Sequence, residues 1–160
     1  QQYNCDFISL MPTNLYGSND NYDLENSHVI PALLRKCYEA KIKNSDNLVV
    51  WGSGNVRREF MHVDDCAKAI VYLLKNYSKN EHINVGTGKD ISIRELVNLI
   101  KELFEYKGNI IFDSSKPEGT PQKLLNIKKL NDLGWKAQIS LKDGLKSLIE
   151  EINQNGFGKH

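Results

Sequence analysis

"VVWGSGNVRREFMHVDDCAKAIVYLL", residues 49–74, decides the fold. It opens as a strand rich in valine and tryptophan, stopped by Gly52 and Gly54. "REFMHV" is a short extended piece. Asp64 or Asp65 then starts a helix, in which Ala67, Ile70, Val71 and Leu74 recur at helical spacing. Strand, turn and helix in one short stretch argue an α/β chain.

The same alternation runs outward in both directions. Upstream, Phe7 to Met11 is an apolar run ending at Pro12, the pattern of an interior strand in a covered sheet. Residues 13–25 read as loop, dominated by Asn, Asp, Ser and Gly. Asn26 or Ser27 can cap the helix that follows, which runs to about Lys43. Downstream, "HINVGTG" and "NIIFD" are strands. "SIRE" is a capping box ahead of the stripe Ile93, Leu96, Val97, Ile100, Leu103 and Phe104. "NIKKLNDLGW" is a short helix capped by Asn126 and closed by Gly134. "SLKD" starts a last helix with Leu141, Leu145, Leu148, Ile149 and Ile152 on one face, before a polar tail.

With 160 residues, the length suits one ordinary domain or part of a larger one. Apolar residues make up 40%, enough for a core, and a net charge of +1 gives no global pull toward nucleic acid or anionic membranes. No apolar run approaches the roughly 18–20 residues of a spanning helix. Cys5, Cys37 and Cys66 show neither metal-ligand nor disulfide spacing and read as reduced thiols of a cytoplasmic protein. The chain has no initiator Met and starts abruptly on a strand, so a piece of a longer protein is expected.

Several residues invite chemistry, each with a plainer reading beside it. His28 stands at the start of a helix, after the Asn- and Asp-rich loop. It is either a structural hydrogen-bonding residue or an acid/base that titrates near neutral pH. Trp51, the glycine turn, Arg57 and Arg58 suit a nucleotide diphosphate, because a guanidinium grips phosphate with two parallel bonds and an indole offers a flat face; a solvated hairpin is the alternative. Neither "GSG" nor "VGTG" is a dinucleotide fingerprint. Asp64 and Asp65 read as caps. Lys116 and Lys123, in a loop shaped by two prolines, can reach a phosphate or simply face solvent.

Six segments, "LMPTNLYG", "NSHVIPALLRK", "VVWGSGNVRREFMHVDD", "INVGTG", "FDSSKPEGTPQKLLN" and "LGWKAQISLKDGL", occur in this order. Together, over about residues 3–150, they resemble the C-terminal half of the GDP-4-keto-6-deoxymannose epimerase/reductases of the extended short-chain dehydrogenase/reductase family. "HVDD" and "NVGTG" are common to many nucleotide-sugar epimerases and dehydratases, whereas "NSHVIPALLRK" and "KPEGTPQKLLN" are specific. The resemblance implies an α/β fold made of the last strand of a Rossmann-type sheet and a smaller C-terminal substrate-binding domain. Residues 1–25 would end the NADP(H)-binding domain, 26–155 would mainly form the GDP-sugar domain, and 156–160 would be a tail.

Roles follow from the resemblance, position by position. Pro12, Thr13, Asn14 and Leu15 would lie by the nicotinamide end of NADP(H). His28 would touch the cofactor and act as acid/base in the C3 and C5 epimerisations. Lys36, Trp51, Arg58 and Lys123 would bind substrate, with Trp51 and Arg58 on the GDP portion. The family also implies a missing N-terminal Rossmann domain as partner and a homodimer at full length, with no role for metal, nucleic acid or membrane. Three positions depart from the family pattern: Lys36 stands where an arginine is frequent, Glu118 where aspartate is usual, and Gln122 where an arginine is usual, costing the loop a positive charge.

Such reductases protonate the carbonyl with a Tyr-x-x-x-Lys pair. None of the seven tyrosines here has a lysine four residues later, and the glycine-rich cofactor fingerprint is also absent. The 160 residues thus carry half of the implied site, and alone they are expected to be inactive. Two other readings stay open: a sister NAD(P)-dependent nucleotide-sugar epimerase or dehydratase, and a non-catalytic nucleotide-sugar binding module.

Overall fold

The computed structural model of the chain describes residues 2, 3, 5–116 and 118–157. The apolar run before Pro12 is shorter as a strand than its composition suggests. Strand β1 covers Leu10–Pro12 and pairs only with Ile83–Val85 among the described residues. Phe7 is 84% exposed and Met11 54%, with β1 paired on one edge in this chain. The expected loop 13–25 contains a second strand, β2 (Asn14–Tyr16). Its turn-prone Asn14 is overridden by parallel pairing with Phe60–His62 and by a bond from Asn14 Nδ2 to the Glu59 carbonyl at 2.8 Å.

Helix α1 (Val29–Ile42) buries Ile30, Leu33, Leu34 and Cys37. Its N-cap is His28 rather than Asn26 or Ser27, and no side chain caps it. Pro31 explains this: the third helical position, where a capping oxygen usually finds an amide, has no N–H. Strand β3 (Asn47–Trp51) leads through the glycine turn to β4 (Arg57–His62) and helix α2 (Val63–Asn76). Here too the expected cap moves. His62 Nδ1 accepts from Asp64 N at 3.2 Å, while buried Asp65 leaves its own helix and accepts from Gln138 N and Ile139 N at 2.8 and 2.7 Å. A carboxylate does cap free amides, but those of a distant loop.

After β5 (Ile83–Val85) comes β6 (Asp90–Ser92), which capping chemistry alone did not reveal. Ser92 and Glu95 then form the expected capping box of α3 (Ile93–Leu103). Strand β7 (Asn109–Asp113) pairs in parallel with β3. Two-residue β8 (Gln122–Lys123) pairs with β4. Helix α4 (Lys128–Asp132) takes a bond from Lys128 N to Asn126 Oδ1 and stops at Gly134, whose φ of 90° suits a residue without Cβ. Helix α5 (Leu141–Asn155) is capped by Ser140.

β4 is the hub of the α/β architecture. It pairs in parallel with β2 and β8 and antiparallel with β6. Its neighbours Phe60 and Met61 belong to different cores. One core gathers α1, α3 and α5 around Leu34, Leu96, Ile100, Phe104 and Leu145. The other holds α2, β5 and α4 around Leu73, Val85, Leu130 and Trp135. Past α5, Phe157 packs on Tyr22 and Tyr38, so this part of the expected tail joins the first core; residues 158–160 lie outside the described ones. Among the described residues no helix is long and apolar enough to cross a membrane, and no group of three or more His, Cys, Asp or Glu is placed to hold a metal.

Candidate functional site

The Asn- and Asp-rich loop is a built turn. Asp23 Oδ1 accepts from the amides of Glu25 and Asn26, both at 3.0 Å, and from the Asn26 side chain. The Glu25 and Asn26 amides, in that order, hold its carboxyl below the usual aspartate value. The Asp23 carbonyl takes Ser27 N, and Arg35 Nη1 ties Tyr22 O back to α1 at 2.9 Å. This hydrogen-bonded turn delivers His28 to the start of α1.

His28 is exposed and lines a cavity of about 480 Å³ with Thr13, Asn14, Leu15 and the Gly17–Asp20 loop. The structure therefore brings the expected cofactor stretch and His28 together, except that Pro12 is not among the lining residues. Thr13 Oγ1 and Asn14 Nδ2 both donate to the Glu59 carbonyl, at 3.1 and 2.8 Å. These two bonds tie the side chains to β4 at the cavity wall.

A second cleft, about 340 Å³, is lined by Lys36, Trp51, Arg58, Glu118 and Gly119. Val29 lines both spaces. The floor comes from β3 and β4, joined by a turn in which Gly52 and Gly54 both have φ of 81°. The exposed Trp51 indole carries the Lys36 ammonium 5.0 Å from its centroid. Burial holds Lys36 below its usual value, and Nζ donates to Val49 O at 3.3 Å. Arg58 Nη1 donates to the carbonyls of Arg57 and Thr120, at 2.7 and 2.6 Å. Lys123, also expected at the substrate, pairs in register with Arg58 across β4 and β8 but is not among the residues lining the cleft.

Alternation along β4 separates the two arginines. Arg57 turns to the other side, where Nε meets Asp90 at 2.9 Å and Nη1 meets Glu95 at 3.3 Å. Gln122 follows it there, its Nε2 donating to Asp90 Oδ2. The positive charge that Gln122 costs the loop is therefore no loss to the cleft, because its side chain is bound to Asp90 on the other side. Glu118 lines the cleft and accepts from Ser53 N, which lowers its carboxyl below the usual range. A third cavity, about 720 Å³, opens on the Arg57 side and holds none of the expected site residues.

One residue that shapes the site was missing from the sequence reading. Glu59 is fully buried between the arginines and the apolar end of β4. Oε1 accepts from Thr87 N and Gly88 N at 2.6 and 2.7 Å, and Oε2 from Leu125 N at 2.8 Å. A Cβ on Gly86 would lie 2.3 Å from Oε1. The available signal was the pairing itself: a carboxylate in an apolar strand needs donors, and a Gly-Thr-Gly loop supplies bare amides.

Comparison with known proteins agrees with this geometry. Residues 1–86 match the NAD dependent epimerase/dehydratase family. GDP-L-fucose synthase 1 of Arabidopsis thaliana is 53% identical over 96% of this chain and 48% of its own length. GDP-L-fucose synthase of Sinorhizobium fredii is 50% identical over 97% of the chain and 49% of its own length. The crystal structure of a GDP-L-fucose synthetase from Naegleria fowleri bound to NADP superposes with a TM-score of 0.87 at 33% identity, covering 93% of this chain and 47% of that one. The chain spans about half the length of the curated relatives it matches.

Proposed function

The chain belongs to the NAD dependent epimerase/dehydratase family, and from that premise we propose that it is the C-terminal, substrate-binding part of an NADP(H)-dependent enzyme that turns GDP-4-keto-6-deoxy-D-mannose into GDP-L-fucose. The observation that supports this reading is that Val29 lines both the His28 cavity and the Trp51–Arg58 cleft, which sets the two spaces side by side on α1. Relatives named GDP-L-fucose synthase support the choice of substrate, and a neighbour solved with NADP supports the choice of cofactor. Residues 1–25 would end the cofactor domain, 26–155 would mainly form the GDP-sugar domain, and an N-terminal Rossmann domain, a homodimer and a cytoplasmic setting complete the proposal.

In this scheme the indole of Trp51 supports the nucleoside, and Arg58, Lys36 and Lys123 neutralise the diphosphate. The sugar then extends past Val29 toward His28. C3 and C5 flank the C4 carbonyl, so a proton lost from either leaves an enolate, and its return from the opposite face inverts the carbon. His28 is exposed at the rim of its cavity, where an imidazole can give or take that proton. The cavity beside Thr13, Asn14 and Leu15 has the size and polar rim to receive the nicotinamide end of NADP(H). When bound, NADPH supplies the hydride that reduces C4.

In the full-length enzyme, His28→Gln should slow deuterium uptake from solvent at C3 and C5 by ~10²–10⁴-fold, the span of a lost acid/base, and leave GDP affinity unchanged. Uptake at the unmodified rate would exclude His28 from the proton transfers.

A further inference from the structure

We infer that an apolar stripe on α2 is the docking surface for a helix of the N-terminal domain, an inference that rests on the part of the proposed function that gives the full-length enzyme such a domain. An ordinary amphipathic helix has two faces; α2 has three. Cys66, Ala69 and Leu73 are buried in the second core with Ile83 and Val85 of β5. Asp64, Lys68 and Lys75 form an exposed polar face. The third face is apolar yet bare. Val63, Ala67, Ile70 and Leu74 recur every three or four residues, so they share one side of the helix. Ala67 is exposed, and Val63, Ile70 and Leu74 are 38%, 40% and 67% exposed. A contiguous apolar patch of this kind marks a surface that is covered by something else.

The flanks of α2 decide the occupant. One flank belongs to α4, where Tyr72 Oη donates to Leu133 O. Tyr72 stands two positions from both Ile70 and Leu74, which at ~100° per residue turns it to the side opposite the stripe. The stripe therefore looks away from α4, toward the side of β5 that carries β1. Among the described residues β1 pairs with β5 alone, in parallel, and its other edge is open. Parallel strands are joined by crossovers, usually helices, and these are right-handed. Helix α2 leads into β5 in this way. A strand on the open edge of β1 would extend the order toward β5, and its own right-handed crossover helix would fall on the face where α2 lies, about 8–10 Å from it. The stripe is the surface that such a neighbour packs on. This chain spans about half the length of the curated relatives, whose remaining length is ample for both a strand and a helix.

The test is thiol labelling of the full-length enzyme, read peptide by peptide in a mass spectrometer, for Ala67→Cys, Leu74→Cys and the polar-face control Lys75→Cys. Ala67→Cys changes the side chain least and keeps the test open if Leu74→Cys fails to fold. In the native enzyme the thiols introduced at positions 67 and 74 should react roughly 10-fold or more slowly than the one at position 75, since a covered site reacts only when it opens. In urea all three should react alike. Labelling at position 67 as fast as at position 75 would overturn the inference. Protection that fades on dilution would assign the stripe to a second copy of the protein and overturn it too. A GDP titration of the same enzyme keeps the two readings apart. GDP binding with an unprotected stripe sinks this inference alone, and a protected stripe without GDP binding sustains it while the substrate reading falls.

Discussion

Arg57 and Arg58 are adjacent in sequence and opposite in use. Arg58 lines the Trp51 cleft and can trade its bond to Thr120 O for a phosphate oxygen, while Arg57 is bound to Asp90 and Glu95 on the far side. Arg58→Ala in the full-length enzyme should therefore weaken GDP by about 10–150-fold, the worth of one charge-assisted bond, and leave NADPH binding nearly unchanged. Arg57→Ala should spare GDP and instead lower stability, since Asp90 would lose a partner. Parallel titrations with GDP and NADPH read the first effect and a melting curve reads the second. Equal losses of GDP affinity in the two variants would mean the diphosphate lies elsewhere. Period-two alternation makes this division legible in the sequence. Gln122 was not legible: its register on β4 depends on a two-residue strand that leaves no hydrophobic pattern.

At the scale of the element, β4 shows what a sequence conceals. Its extended character is visible, but its centrality is not, because the three strands that pair with it are only two or three residues long. Glu59 is the clearest case. As a letter it reads as a surface charge; in the fold it holds the 87–88 loop and Leu125 at once. Replacing it by leucine would leave three part-buried amides without their acceptor, which water can replace only in part. Glu59→Leu should therefore lose about 1–3 kcal/mol in urea unfolding, and Glu59→Gln, which keeps a carbonyl acceptor, should lose less. A leucine variant within 1 kcal/mol of the unmodified chain would show that the carboxylate is not a clamp. The helices were more legible. Ser92 with Glu95 and Ser140 with Asp143 sit in local patterns that specify their own caps, whereas Asp65 reaches residues more than seventy positions away.

The whole molecule inherits a pH profile from these contacts. Asp90 is held below its usual value of 3.8, first by Gln122 and then by Arg57, and Asp23, Glu39 and Glu95 are lowered as well. Folding releases protons from such groups, so their stabilisation is complete above the usual carboxylate range and disappears as pH falls through the lowered values. Burial pushes the Cys37 thiol from 9.0 up to about 12, with the opposite sign: that contribution is complete below pH 9 and is lost as pH rises. Melting temperature should be flat between about pH 5 and 8 and fall on both sides, and Asp90→Asn should blunt the acid limb. An acid limb unchanged by that substitution would leave Asp90 without a part in it. The open flank of β1 bears on how the chain behaves in company. A strand paired on one edge, with Met11 and Phe7 bare to water, offers unspent backbone donors and acceptors beside an adhesive surface. In the proposed full-length enzyme that edge is where a strand of the N-terminal domain would continue the sheet, while β4 already has three strand partners.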